Sequence, residues 1–231
     1  SLADEENEDG IRLIMLLGKY WKIHSDITEG KRWVRELLSR KKNISLAERA
    51  GVLKLAGSLE WLSGDLNQSQ KYHEESLSIY KKLKDSTGIA SSLGNLGLIE
   101  FQKGKYKQAR DLTEGSYRLY NQLGDKYNTA ASLLNLGCIF MLPGEYIPAK
   151  TAIDKSLQIF REHGDLHGIA LCLCNLGILF HYLGEYPKAQ LLIEESIVLH
   201  RKLGNKHDIA LSLNTLGFVT LQTGRFNRAM K

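Results

Sequence analysis

Proline is nearly missing from this chain, with three in 231 residues. Interior proline breaks helices, so long helical runs are permitted almost anywhere. Cysteine is equally scarce: Cys138, Cys172 and Cys174 are an odd number without framework spacing. That excludes a disulfide-built fold and implies a reducing, cytoplasmic compartment. No apolar run approaches the roughly 18 residues of a membrane-spanning helix. The start, Ser1-Leu2-Ala3-Asp4-Glu5-Glu6, lacks the basic-then-apolar layout of a signal peptide. Excess charge is small, a net +5, which tolerates an acidic partner without requiring nucleic acid. Catalytic signatures are missing too. No Gly-x-x-x-x-Gly-Lys-Ser/Thr loop occurs, since Gly104-Lys105 runs into Tyr106, and no Gly-x-Ser-x-Gly elbow occurs. The expectation is a non-enzyme without cofactors. What remains, 43% hydrophobic and 25% charged residues, is the composition of a folded protein.

What the chain does contain is a repeat. Gly104-Lys105-Tyr106 with Ala109, Gly144-Glu145-Tyr146 with Ala149, Gly184-Glu185-Tyr186 with Ala189, and Gly224-Arg225-Phe226 with Ala229 recur 40 residues apart. Asn95-Leu96-Gly97, Asn135-Leu136-Gly137, Asn175-Leu176-Gly177 and Thr215-Leu216-Gly217 keep the same stride. Weaker copies precede both markers, at Gly64-Asp65-Leu66 and Leu55-Ala56-Gly57. A fixed stride of this size is the signature of stacked structural repeats. The units run at about 8–45, 46–85, 86–125, 126–165, 166–205 and an incomplete 206–231, about 5.5 in one domain.

Each unit reads as two helices. The first, near Ile89 to Lys103, carries Leu93, Leu96 and Ile99 at helical spacing. Gly104 then marks a helix end. The second runs from about Tyr106 to Leu123, Gly124 ends it, and Asp125 is placed to cap the next helix. Gly97 and Ala109 are 12 apart, as are Gly137 and Ala149, Gly177 and Ala189, and Gly217 and Ala229. Antiparallel helices joined by a tight turn approach closely only where both crossing residues are small. These eight are the expected structural positions.

Leu-Gly, a glycine turn, then Tyr and Ala resembles the tetratricopeptide repeat, in a long form of about 40 residues similar to kinesin light chain repeats. Armadillo and HEAT repeats have a similar period but leave the Gly-Tyr-Ala signature unexplained. The resemblance implies an all-α fold, a right-handed solenoid of antiparallel helix hairpins, whose function is to bind a protein or peptide. Ile11-Arg12-Leu13 to Tyr20-Trp21, Asp26 to Trp33, Glu-Glu-Ser-Leu at 74–77 and Leu-Gly-Asp at 123–125 resemble the helical arm of bacterial STAND signalling ATPases, including MalT-like and LuxR-type regulators. That implies a ligand- or partner-sensing arm of a larger signalling or transcription-regulating ATPase. Its core would lie elsewhere in the same polypeptide, and the incomplete last hairpin implies a fragment. The alternative is a free-standing adaptor without nucleotide chemistry.

In tetratricopeptide proteins the first helices line a concave face. Carried onto this sequence, that face holds Asn95, Asn135 and Asn175 in one row. Beside them stand Leu134, Cys174 and Asn214, then Leu98, Cys138 and Phe218, and at the far side Phe101, Met141 and His181 with Gln102 and Tyr182. A ladder of amides can hold the backbone of an extended peptide, with apolar neighbours supplying pockets. The row is equally what scaffold packing produces when every repeat solves the same problem; both readings stand.

Other constellations read as structure. Cys172 and Cys174, two apart on a helix, point to different sides. His163 and His167 have metal-pair spacing, but Gly164-Asp165 interrupts the helix between them. His200 and His207 sit near helix ends, and no metal site is expected. The basic run Lys31, Arg32, Arg35, Arg40, Lys41 and Lys42 reads as a solvated face, with no nucleic-acid partner expected. Trp21, Trp33 and Trp61 read as N-terminal core.

Overall fold

The computed structural model describes residues 10–18, 20–21, 27–39 and 44–222. Every described element is a helix: α1 (residues 10–18), α2 (Ile27–Ser39), α3 (Leu46–Leu62), α4 (Leu66–Leu83), α5 (Ser86–Gln102), α6 (Tyr106–Gln122), α7 (Lys126–Met141), α8 (Tyr146–Glu162), α9 (Leu166–Tyr182), α10 (Tyr186–Lys202) and α11 (Lys206–Gln222). The chain divides into two compact units, Ser1–Leu123 with α1–α6 and Gly124–Lys231 with α7–α11. In the first, α3 pairs with α4 and α5 with α6, while α4 packs on α5. In the second, α7 pairs with α8 and α9 with α10, and α8 and α10 pack on the helices that follow them. Within each unit this is the all-α stacking of antiparallel helix hairpins that the resemblance implied. Arg40, Lys41, Lys42, Phe226 and Ala229 lie outside the described residues.

The turns follow from local chemistry. Gly144 ends the α7 turn at φ +84°, with its N–H donating to the Met141 carbonyl at 3.1 Å. Such a left-handed residue collects the last carbonyls of a helix, and glycine adopts it without a Cβ penalty. Lys84 takes the same conformation after α4 at φ 55°, where the later repeats hold Gly124, Gly164 and Gly204. Asp125 caps α7, its Oδ1 accepting from the Asn128 N–H at 3.0 Å. Ser45 and Glu48 close a reciprocal capping box on α3.

The hairpins are as tight as the small residues require. A Cβ on Gly177 would lie 2.5 Å from Cγ1 of Ile193 and 3.1 Å from the Ala189 carbonyl oxygen; on Gly97 it would lie 3.2 Å from the Ala109 oxygen. Within three of the hairpins a serine of the second helix is bonded to the first helix. Ser76 donates to the Ala50 carbonyl, Ser156 to Ala130 and Ser196 to Ala170, each at 2.8 Å. Fully buried Ile153, Leu173, Leu179 and Ile193 fill the second unit, each contributing roughly 1.5–3 kcal/mol.

Two expectations for the first unit are corrected. Trp21 is core, packed with Ile11, Val34, Leu37 and Leu59, but Trp33 is exposed. Its indole donates to Glu29 at 3.2 Å, and the Arg32 guanidinium stands 5.2 Å from its ring centre. The basic run is not simply solvated either. Lys31 and Arg35 both pair with Glu60, a carboxylate only 2% exposed, whose burial demands countercharge.

Candidate functional site

In the first unit the first helices α3 and α5, with α4 behind them, line a half-open cavity of 240 Å³. Ser58, Trp61 and Leu62 come from α3, His73 from α4, and Asn95, Leu98 and Ile99 from α5. The helical spacing that puts Asn95, Leu98 and Ile99 on one face of α5 puts Ser58, Trp61 and Leu62 on the matching face of α3. Asn95 is half-buried. The buried Nε1–H of Trp61 has no hydrogen-bond partner among the described residues. The cavity thus offers a large apolar ring and an amide with both donor and acceptor. Near it, half-buried Phe101 rests against Tyr106 with ring centres 5.8 Å apart, and Gln102 is exposed.

Sequence reasoning missed Trp61, Leu62 and Ser58. The signal was present: each stands 40 residues before a position placed on the inner face or its neighbour, Phe101, Gln102 and Leu98. Extending the rows one repeat earlier would have found them.

In the second unit the first helices are α7, α9 and α11. Asn175 is engaged within the protein: its Nδ2 donates to the Leu171 carbonyl at 2.9 Å, and its Oδ1 accepts from the Cys138 thiol at 3.1 Å. Asn135 is half-buried. Leu134 and Met141 are 7% and 5% exposed, leaving little of either side chain to meet a guest. His181 is half-buried between Tyr182 and Tyr186, with ring centres 6.0 and 5.5 Å away, and exposed Tyr182 stacks on Tyr146. Asn214 and Phe218 are exposed on α11.

The three free thiols are buried or half-buried. Burial pushes Cys138 up to about 12 and Cys172 up to about 11, and raises Cys174. Cys172 donates to Ser156 Oγ at 3.4 Å, and Ser212 Oγ contacts Cys174 Sγ at 3.8 Å. None has the lowered pKa of a nucleophile.

A tetratricopeptide repeat family model matches residues 48–122 and again 89–162. The chain is a tetratricopeptide repeat protein. No curated protein sequence matches it significantly. Solved structures share the fold at low identity. NprR in complex with its cognate peptide NprX is 14% identical at a TM-score of 0.78, covering 95% of this chain and 64% of NprR. The STAND protein PH0952 from Pyrococcus horikoshii, with a tetratricopeptide repeat sensor, is 17% identical at 0.71, covering 95% of this chain and 35% of that one. A putative kinesin light chain from Podosopora anserina, with nearly identical TPR-like repeats, is 15% identical at 0.64, covering 84% and 96%. This tetratricopeptide repeat protein therefore spans about a third of the STAND protein and nearly all of the kinesin light chain repeats. No described helix is long and apolar enough to cross a membrane.

Proposed function

We propose that this protein holds an extended peptide or protein segment against the first helices of its repeats. The observation that carries the reading is the α3–α5 cavity, whose lining brings the Trp61 ring and the Asn95 amide together. The Asn95 amide offers both a donor and an acceptor to the backbone of a guest. The apolar wall of Trp61, Leu62 and Leu98 supplies the affinity. NprR, of the same fold, is solved with a bound peptide, which supports the class of ligand. We further propose that the segment is the sensing arm of a bacterial signalling ATPase, an idea supported by the likeness to the PH0952 sensor. Peptide binding would then favour one arrangement of the arm over another.

The test displays a random-sequence peptide library to the immobilised chain. Wild type enriches peptides with a consistent apolar anchor, whereas Trp61→Ala and Asn95→Ala chains of unchanged helicity lose that enrichment. Equal enrichment by all three would remove the cavity as the site. The signalling version needs an attached nucleotide-hydrolysing domain whose rate changes when an enriched peptide is added. An unchanged rate would leave binding intact and discard signalling.

A further inference from the structure

Equivalent places in this protein lie 40 residues apart, and at one joint three of them change chemistry together. Between α7, α8 and α9, Tyr127 meets Phe160 edge to face with ring centres 5.6 Å apart. Gly168 backs onto the Phe160 ring so closely that a Cβ would lie 2.4 Å from its Cγ. The following joint, between α9, α10 and α11, keeps the geometry: His167 meets His200 edge to face at 5.9 Å. The places of Tyr127, Phe160 and Gly168 are now held by His167, His200 and Asp208.

Packing alone does not call for this exchange, because two aromatic rings and a glycine fill the preceding joint without an ionisable group. His200 is 1% exposed, and neither ring nitrogen has a hydrogen-bond partner among the described residues. Its Nδ1 stands 3.8 Å from Asp208 Oδ2, beyond hydrogen-bond reach, and His167 Nδ1 stands 3.5 Å from the same oxygen. One ligand atom from each of the three residues falls within 4.8 Å of the other two.

We propose that His167, His200 and Asp208 bind one divalent transition-metal ion of the zinc class, tying α11 to α9 and α10. Two imidazoles and a carboxylate form a ligand set that suits zinc. Around a tetrahedral ion with bonds of about 2.0–2.2 Å, ligands stand about 3.3–3.5 Å apart. The His167–Asp208 separation already matches, and the His200 imidazole, within 4.8 Å of the other two ligand atoms, turns inward to complete the set. The same carboxylate oxygen is oriented by a neighbouring amide, as metal-binding carboxylates are oriented by hydrogen bonds. Asn205 Nδ2 donates to Asp208 Oδ2 at 2.5 Å, while the Asp208 N–H donates to Asn205 Oδ1 at 3.3 Å. The His167 side chain is 43% exposed, so the ion has a way in, and its fourth position opens to water or to a donor from a bound partner.

The test adds Co²⁺ or Zn²⁺ to the whole chain, with any purification tag removed. Expected are one Co²⁺ per chain, the visible absorption of four-coordinate Co²⁺, its loss on adding Zn²⁺, and a Tm that rises with Zn²⁺. His167→Ala, at a half-exposed position, keeps the fold and weakens Zn²⁺ binding by at least about tenfold. A triple variant, His167→Tyr with His200→Phe and Asp208→Gly, copies the preceding joint; it folds and shows neither the Co²⁺ band nor a Zn²⁺-dependent Tm. His207→Ala, beside the site, leaves uptake unchanged. No Co²⁺ band and no Tm change with metal in excess would overturn the proposal, as would uptake that survives in the triple variant. Should that variant fail to fold, metal binding by His167→Ala equal to wild type overturns it alone.

Discussion

Gly137 lies so close beneath Ile153 that a Cβ on the glycine would stand 2.4 Å from Cγ1 of the isoleucine and 3.3 Å from the Ala149 carbonyl oxygen. Ile153 is itself fully buried and cannot swing clear. Gly137→Ala therefore trades a gain in helix propensity for overpacking and is expected to destabilise the second unit by about 1–3 kcal/mol. Chemical denaturation measures this, and a midpoint equal to wild type would show that α7 and α8 are not held at this distance.

Lys84 offers the opposite experiment. It sits at φ 55° where the later repeats have glycine, and left-handed backbone costs a residue with a Cβ roughly 1–2 kcal/mol. Glycine also loses more freedom on folding, which offsets part of the gain. Lys84→Gly is expected to raise stability by up to about 1 kcal/mol, read as a higher denaturation midpoint. A lower midpoint would mean that the lysine side chain contributes more than the strain costs.

Ser196 donates to the Ala170 carbonyl at 2.8 Å from a fully buried position. Ser196→Ala removes a buried hydrogen bond between α10 and α9 and is expected to cost about 1 kcal/mol. Hydrogen exchange read across α9 and α10 should quicken, whereas exchange in α3 and α4 of the other unit should not.

The Cys172 thiol gives stability a pH dependence. Burial raises it to about 11 from an ordinary value near 9. Above pH 9 the unfolded chain gives up this proton while the folded chain keeps it. The contribution is complete below pH 9 and drains as pH rises towards 11. The denaturation midpoint is expected to fall over that window less steeply in Cys172→Ala than in wild type. Parallel slopes would contradict the assignment. At pH 8 a thiol reagent should label Cys172 only after unfolding.

Asn95 and Asn175 occupy equivalent places two repeats apart but have different surroundings. Asn175 is bonded to the Leu171 carbonyl and the Cys138 thiol, whereas Asn95 lines the cavity. Asn175→Ala is expected to lower stability by about 1 kcal/mol and leave peptide capture through the α3–α5 cavity unchanged. Asn95→Ala is expected to do the reverse. Thermal denaturation and capture measured on both variants decide whether the row divides in this way.

The stride, the paired helices, the glycine turns and the close Gly–Ala crossings were legible in the residues alone. Each follows from interactions within a few residues: apolar spacing along a helix, a glycine free to turn left-handed, an aspartate free to cap. The site was legible in part. The inner rows pointed to Asn95 and Leu98, and the same rows one repeat earlier held Trp61, but the row could not say which amide is engaged within the scaffold. Trp33 illustrates the difficulty. Its size suggested core, yet its indole finds Glu29 on its own helix at the surface.

By itself, then, the sequence determined a 40-residue unit of two helices and the small residues that let them nest, because those depend on local chemistry repeated in register. Only the tertiary structure decided which side chains meet across repeats. It set Lys31 and Arg35 on the buried Glu60, the Cys138 thiol on Asn175, and His167 and His200 beside Asp208. Apart from His200 and Asp208, which are 8 positions apart, these meetings join residues 25 to 41 positions apart in the chain. They depend on how one hairpin is seated against the next, a packing register that no short stretch of sequence encodes.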